Sequence, residues 1–241
     1  LFVQPFLSTD LVDWSLEVPH LETLSAVYTV YEVSGPPRKL WFFSEDTARC
    51  TRMQAGPDLA LPIRQGPDEA YWPADEWWSG YQLHVPGQGR QDVLYRGLDN
   101  NAPIPAMTQA NGSPMLFPAG TRQHWRLGCL PQLANGPGEG FLAVSPDGTK
   151  YTLDWMVQKD TVGITKRGGG GFDRRIVKLM ATRVEDRFGN ALVYRYDNSG
   201  NLVEIEGTDG RKLTLAYDTW RHASGFWPAS RRLVSATLQP A

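Results

Sequence analysis

The chain has 241 residues, of which 24 are glycine and 18 are proline, and 41% of its residues are hydrophobic. No apolar run approaches the roughly 18–20 residues that cross a bilayer, and Gly or Pro recurs too often for long helices. The net charge is −7 over residues 1–120 and +5 over residues 121–241, but the basic residues are scattered among acidic ones, which argues against nucleic-acid binding. We therefore predict an all-β protein of short antiparallel strands and hairpins, divided near residue 120.

Residues 1–120 predict an irregular β-rich region of unknown type. Val27–Val33 is dense in strand-forming residues, Ser34–Pro37 predicts a turn, and Lys39–Phe43 predicts a second strand. Residues 99–120 contain four prolines and lack periodicity, which indicates a long ordered loop or an interdomain connection.

Aromatic residues crowd a Pro/Gly-rich part of this first region: Tyr71, Trp72, Trp77, Trp78 and Tyr81. Flat rings can stack on sugars, so the cluster is a candidate carbohydrate-binding or adhesive surface. Alternatively, the rings plug the end of a sheet or pack between regions, since each buries about 150–250 Å² of surface in a core. We take packing as the main interpretation and sugar binding as the alternative.

No catalytic or metal-binding motif is present in the sequence. Cys50 and Cys129 belong to no Cys-x-x-Cys pair, and the histidines lack zinc-ligand spacing. Neither a Gly-x-Ser-x-Gly nor a His-Glu-x-x-His motif occurs, and Glu204 and Glu206 are expected to face solvent on one strand face. We predict a chain that is not an enzyme and needs no cofactor or metal. A disulfide between the two cysteines stays open, since it requires an environment outside the cytosol.

The second region, residues 121–241, predicts regular hairpins. Phe141–Val144 and Lys150–Trp155 read as strands that flank a Ser145–Gly148 turn. The run Gly168–Gly171 reads as a flexible loop, and it is not a phosphate-binding loop because no Gly-Lys-Ser/Thr closes it.

From residue 184 the sequence repeats itself with a period of 21 residues. Three strands are predicted, at Ala191–Tyr196, Leu202–Glu206 and Lys212–Tyr217. Each strand follows a turn in which an Asp accepts a backbone N–H two or three residues on, a Gly adopts positive φ, and an Asn or Arg caps the exit. The residues of this pattern are Gly189, Asn190, Tyr196, Asp197, Gly200, Asn201, Leu202, Asp209, Gly210, Arg211, Tyr217 and Asp218.

The run Tyr196-Asp197-Asn198-Ser199-Gly200-Asn201-Leu202, completed by Asp209-Gly210-Arg211, resembles the unit of the Rhs/YD-repeat family. The resemblance covers about residues 140–240. A further unit begins at Tyr217-Asp218, and its degenerate strand Arg232–Thr237 follows an insertion at Thr219–Arg231.

Rhs/YD-repeat proteins are large secreted or surface polypeptides of bacteria, and their repeats wind a β-sheet into a shell that often encloses a C-terminal toxin. The resemblance implies that this chain is a non-catalytic structural segment of such a shell, secreted or at the cell surface. Its expected partner is the remainder of the same polypeptide, namely further repeats and the toxin domain. The start Leu1-Phe2-Val3, without an initiator Met, predicts a piece of a longer protein, and the last hairpin should present an unpaired edge that favours self-association.

Overall fold

A computed structural model of the chain describes residues 16–30, 38–53, 73, 76–96, 107–108, 112–166, 169–220 and 230–241. These residues form thirteen β-strands and include no α-helix, so the all-β prediction is confirmed. No helix in this part of the chain is long and apolar enough to span a membrane. The strands are β1 (His20–Val30), β2 (Arg38–Trp41), β3 (Tyr81–Val85), β4 (Gly89–Tyr95), β5 (Ala119–Thr121), β6 (Arg126–Leu130), β7 (Gly140–Val144), β8 (Lys150–Lys166), β9 (Gly169–Glu185), β10 (Ala191–Tyr196), β11 (Leu202–Gly207), β12 (Lys212–Trp220) and β13 (Ser230–Gln239).

Eight of these strands close into an antiparallel barrel. Strands β3 to β9 follow one another as a meander, and β1 joins the two ends because it pairs with both β3 and β9. At this closure Leu21 lies opposite Leu83 on one side and Leu179 on the other. The division near residue 120 that the charge pattern indicates falls inside β5, and strands from both regions build the same barrel.

Inward-pointing side chains fill the barrel with one hydrophobic core. Alternation is clear on β3, where Tyr81, Leu83 and Val85 are buried while the residues between them are half-buried. The segment that follows β2 packs into the same core. The largest fully buried side chains of the barrel are Leu21, Leu83, Trp125, Leu127, Phe141, Leu153, Val177 and Leu179, and the segment after β2 adds the core residues Phe43, Cys50 and Met53.

A disulfide joins this segment to the barrel wall. Cys50, which is fully buried, is bonded to Cys129 of β6, with the two Cα atoms 5.4 Å apart. The sequence left the pairing of the two cysteines open, and the structure shows them paired.

The repeat region leaves the barrel as an open sheet. Residues 174–180 of β9 pair with β1, whereas residues 183–185 pair with β10, so the sheet branches at this point. Strands β10 to β13 then continue as an antiparallel meander. The strands predicted from the repeat are confirmed: β10 has the predicted bounds, β11 is one residue longer, and β12 continues to Trp220.

A tyrosine of each repeat anchors this sheet. The Tyr196 hydroxyl donates to the carbonyl oxygen of Ala181 at 2.5 Å, and the Tyr217 hydroxyl donates to that of Leu202 at 2.7 Å. In both bonds the tyrosine lies 15 residues after the residue whose carbonyl accepts. The same bond therefore recurs with the 21-residue period of the sequence. Burial raises the pKa of Tyr196, which keeps its hydroxyl protonated as a donor.

The sequence predicts a flexible loop at the glycine run before Phe172, but the described glycines of that run lie in a strand. Gly169, Gly170 and Gly171 belong to β9, and Gly171 lies opposite Thr165 of β8. A Cβ at Gly171 would overlap the Thr165 side chain, so the tight approach of the two strands requires glycine at this position.

Candidate functional site

Two of the candidate sugar-binding aromatics are core residues. Trp77 and Tyr81 are only 6% and 5% exposed. The rings of Trp77 and Phe172 pack edge to face, with their centroids 5.7 Å apart. The Tyr81 ring packs against the rings of Phe43 and Phe141, at centroid distances of 5.3 and 6.3 Å. Because other aromatic side chains cover both rings, neither presents a face on which a sugar could stack.

Trp78 is half-buried and is held by a polar contact. Its indole Nε1 donates to Thr23 Oγ1 at 2.9 Å, and that hydroxyl in turn donates to the carbonyl oxygen of Gly80 at 3.0 Å. Tyr71 and Trp72 lie outside the described residues. The three described aromatics therefore form no exposed platform, since the apolar area that made them candidates is used to fill the core.

Four turns of the second region share one backbone geometry. In each, the N–H of the first residue donates to the carbonyl of the fifth, and the N–H of the fourth donates to the carbonyl of the first. The fourth residue is a glycine with φ between 80° and 91°. This is a three-residue hairpin connection whose last residue is left-handed. The four turns are residues 145–149, 186–190, 197–201 and 207–211.

Asp186 and Asp197 act in their turns as predicted, with one correction. Asp186 accepts hydrogen bonds from the backbone N–H groups of Phe188 and Asn190, which are two and four residues on, rather than two or three. The Asn190 amide donates to the second carboxylate oxygen, which lowers the pKa of Asp186. Asp197 and Asn201 repeat these bonds.

Two of the predicted motif positions differ from this scheme. Asp209 is the third residue of its turn rather than the first, and Arg211 donates to it from the backbone N at 3.1 Å and from Nε at 2.6 Å. Asp218 starts no turn, because β12 continues through it to Trp220 and pairs it with Arg232 of β13. Asp218 therefore lies within the β12–β13 pairing, and the strand Arg232–Thr237 predicted for the further unit lies in β13.

The turn glycines offer a matched pair of substitutions. A Cβ at Gly200 would lie 2.6 and 2.8 Å from the methyl carbons of Val157 on β8, whereas a Cβ at Gly189 would meet nothing within 4 Å. Gly189→Ala should lower the free energy of unfolding by about 1 kcal/mol, because only the strain of a left-handed alanine is added. Gly200→Ala should lower it by about 3 kcal/mol, because overpacking against Val157 adds to that strain. Urea unfolding measures both, and equal losses would contradict docking of this turn on β8.

The paired carboxylates Glu204 and Glu206 are neutralised by cations rather than free for acid–base chemistry. Arg195 Nη1 bonds Glu204 and lies 2.7 Å from Glu206 Oε2, and Lys212 Nζ lies 3.2 and 3.8 Å from the two carboxylates. The hydrogen bond from Arg195 lowers the pKa of Glu206. These cross-strand pairs align β10, β11 and β12 on their charged face.

A half-buried carboxylate marks the closure of the barrel. Glu22 of β1 lies 2.8 Å from Arg90, 3.3 Å from Lys178 and 3.7 Å from His20, and its side chain is 17% exposed. Burial raises the pKa of Glu22, but the nearby His20 ring and the two cations outweigh burial and lower the pKa to about 2. The charges therefore link β1 to β4 and β9.

Glu22→Gln is expected to reduce the free energy of unfolding at neutral pH by roughly 2 kcal/mol. The folded pKa lies below the usual value of 4.5, so the stabilisation is complete above about pH 5 and is lost as the pH falls towards 2. In urea unfolding at several pH values, the free energy of unfolding of the variant should lack this loss between about pH 5 and pH 2. Asp160→Asn, which removes a carboxylate that is 82% exposed, is the control and should change stability by less than about 0.5 kcal/mol.

Strand β13 forms the outer edge of the sheet. It pairs with β12, and no second strand partner lies among the described residues. Residues 234–241 are all exposed, with Val234 at 52% and Leu238 at 69%. An edge of this kind exposes backbone hydrogen-bonding groups and apolar side chains that another strand can cover.

Neither a family model, nor a curated protein, nor a solved structure matches this chain. In the described part of the chain, no group of three His, Cys, Asp or Glu residues is placed to hold a metal ion. The features that the fold assembles are thus a closed barrel, a sheet of repeated hairpins anchored on it, and an exposed edge strand.

Proposed function

We propose that this chain is a non-catalytic structural segment of a large secreted or cell-surface bacterial polypeptide of the Rhs/YD-repeat type. In this proposal its sheet forms part of a β-shell that encloses or presents a C-terminal toxin or effector domain. The supporting observation is the 21-residue repetition, in which Tyr196 and Tyr217 make the same hydrogen bond to a carbonyl 15 residues earlier. Such a unit can be added many times, because each new strand meets the same kind of edge.

The two parts of the fold suit different tasks in such a shell. The barrel has its own core and a disulfide, so it can serve as a rigid start of the wall. The hairpins from β10 to β13 have a smaller core and an open edge, so they can be continued by further strands.

The disulfide supports the proposed location. Bonds of this type persist in secreted and surface proteins and are rare where glutathione and thioredoxin keep thiols reduced. A Cys50–Cys129 bond in the barrel core is therefore consistent with a chain that acts outside the bacterial cytosol.

The test is amide hydrogen exchange at β13 in two proteins: this chain alone, and the polypeptide encoded by the whole reading frame that contains it. If further repeats continue the wall, residues 232–239 should exchange at least about tenfold more slowly in the longer protein, because a neighbouring strand then covers the edge. Residues 177–181 in the barrel core are the internal control and should be protected in both. Equal exchange at β13 in the two proteins would overturn the proposal.

The isolated chain is expected to self-associate through β13. Lysine on an edge strand opposes pairing with another edge, so Val234→Lys and Leu238→Lys should each shift sedimentation towards the monomer at the same protein concentration. Val162→Lys is the control, because Val162 is 70% exposed but lies on the β8–β9 hairpin. A wild-type chain that stays monomeric at every concentration, or an equal effect of all three variants, would contradict association through β13.

A further inference from the structure

The loop between β6 and β7 is held against β8 by an asparagine side chain. Asn135 Nδ2 donates to the Met156 carbonyl oxygen, and Asn135 Oδ1 accepts the Met156 N–H, both at 2.8 Å. In the preceding residue, the Ala134 N–H donates to the Asp154 carbonyl oxygen at 2.9 Å. Three hydrogen bonds therefore attach this loop to β8.

The Asn135 side chain takes the place of a neighbouring strand at the edge of β8. Strand β7 pairs with β8 from Lys150 to Leu153, so Met156 lies beyond the end of that pairing. A primary amide that binds the N–H and the C=O of one residue satisfies both backbone groups, as a paired strand does. Asn135 therefore covers two backbone groups that the end of β7 would leave uncovered.

The residue that follows Asn135 is Gly136, and an asparagine before a glycine is chemically reactive. In asparagine deamidation the backbone nitrogen of the next residue attacks the side-chain Cγ, and glycine has no side chain that obstructs this approach. Asn135 is exposed to water, and a Cβ at Gly136 would meet nothing within 4 Å, so the surroundings leave room for the reaction. The two bonds to Met156 are what hold the reactive side chain in place.

We propose that Asn135 is a deamidation site, protected while its amide is bound to Met156, and that the reaction releases the loop from β8. The Gly136 nitrogen forms a bond to Asn135 Cγ, its proton passes to Nδ2, and Nδ2 leaves as ammonia, which gives a succinimide. Water then adds to one of the two ring carbonyl groups and opens the ring to aspartate or isoaspartate. Both bonds to Met156 have to break first, because Nδ2 departs and Cγ turns towards its own backbone. This inference is independent of the proposed shell function.

The product of the reaction no longer fits the Met156 backbone. A carboxylate has no proton to donate to the Met156 carbonyl oxygen, and its negative charge repels that oxygen. An isoaspartate in addition lengthens the main chain by one methylene group. Either product leaves the carbonyl without its donor, and this loss weakens the attachment of the loop to β8.

The test follows the conversion of Asn135 by peptide mass spectrometry, in the folded chain and in the chain unfolded by guanidinium chloride, at the same mildly alkaline pH. Conversion should be at least about tenfold slower in the folded chain, because two hydrogen bonds have to open before the reaction starts. The chain has a second pair of this type, Asn111-Gly112, which should convert as fast as Asn135 in the unfolded chain. Equal rates at Asn135 in the two states, or no conversion in the unfolded chain, would overturn the proposal.

Hydrogen exchange of side-chain amides separates the bonds to Met156 from a general effect of folding. In the folded ¹⁵N-labelled chain, the Asn135 Nδ2 protons should exchange several-fold more slowly than those of Asn198, an exposed asparagine on a hairpin turn. Slow exchange at Asn135 would show that its amide is bound while the residue remains exposed. Equal exchange at the two asparagines would overturn the protection by Met156.

Two variants separate the reaction from its consequence. Gly136→Ala keeps the Asn135 side chain, and the added methyl group should slow conversion in the unfolded chain several-fold because it obstructs the attacking nitrogen. Asn135→Asp carries the product without the reaction, and the Ala134 amide should exchange several-fold faster in it than in the wild-type chain or in Gly136→Ala. Conversion of Gly136→Ala at the wild-type rate, or unchanged exchange at Ala134 in Asn135→Asp, would overturn the proposal.

Discussion

Replacing Cys50 and Cys129 together with alanine is expected to lower the free energy of unfolding by about 4 kcal/mol. The bond joins positions that are 79 residues apart, and closing so long a loop restricts the unfolded chain strongly. In the folded state the bond fixes a buried segment to β6, so its loss also frees part of the core.

Urea unfolding with and without a reducing agent measures this effect. Reduction should bring the wild-type chain down to the stability of the double-alanine variant, and the variant itself should not respond to the reducing agent. A wild-type chain that loses less than about 1 kcal/mol on reduction would show that the bond contributes little to stability.

Gly138→Ala is expected to lower the free energy of unfolding by about 4 kcal/mol, the second large effect. Gly138 has a φ of 89°, and an added Cβ would lie 2.7 Å from Thr47 Cα and 2.9 Å from Thr47 O, and would overlap Arg49 Nη1. Left-handed strain and overpacking each account for about 1–3 kcal/mol. Since the contacts are with backbone atoms and with a buried arginine, the neighbours have little room to move.

The buried Arg49 explains why this contact is so close. It is 2% exposed, and its guanidinium donates to the carbonyl oxygens of Phe43 at 2.9 Å, Ser44 at 2.8 Å and Pro137 at 3.0 Å. The side chain thereby holds the segment after β2 against the β6–β7 loop. Displacing it would leave buried carbonyl groups without their donor, which is costly.

Gly136→Ala is the control for this prediction. Gly136 lies two positions away in the same loop, has no positive φ, and offers open space to a Cβ. Its substitution should change stability by less than about 0.5 kcal/mol. Similar losses for both variants would show that the loop, rather than the Arg49 contact, limits stability.

The sequence by itself determined the hairpins of the 21-residue repeat, from residue 184 onwards. The turn at residues 186–190 is made by an aspartate, a glycine and an asparagine that lie within five positions of one another, so its geometry is encoded locally. Strand alternation is equally local, and β10 therefore has the predicted bounds. Asp218, which follows the second tyrosine of the repeat, lies within β12 and pairs with Arg232 of β13.

Only the tertiary structure decided how the first region folds. The barrel closes when Leu24 of β1 meets Ile176 of β9, and no local pattern specifies pairing over so long a stretch of chain. The same long-range packing buries Trp77 and Tyr81 and pairs Cys50 with Cys129. Composition cannot distinguish a buried aromatic ring from an exposed one, because both roles favour the same residue types.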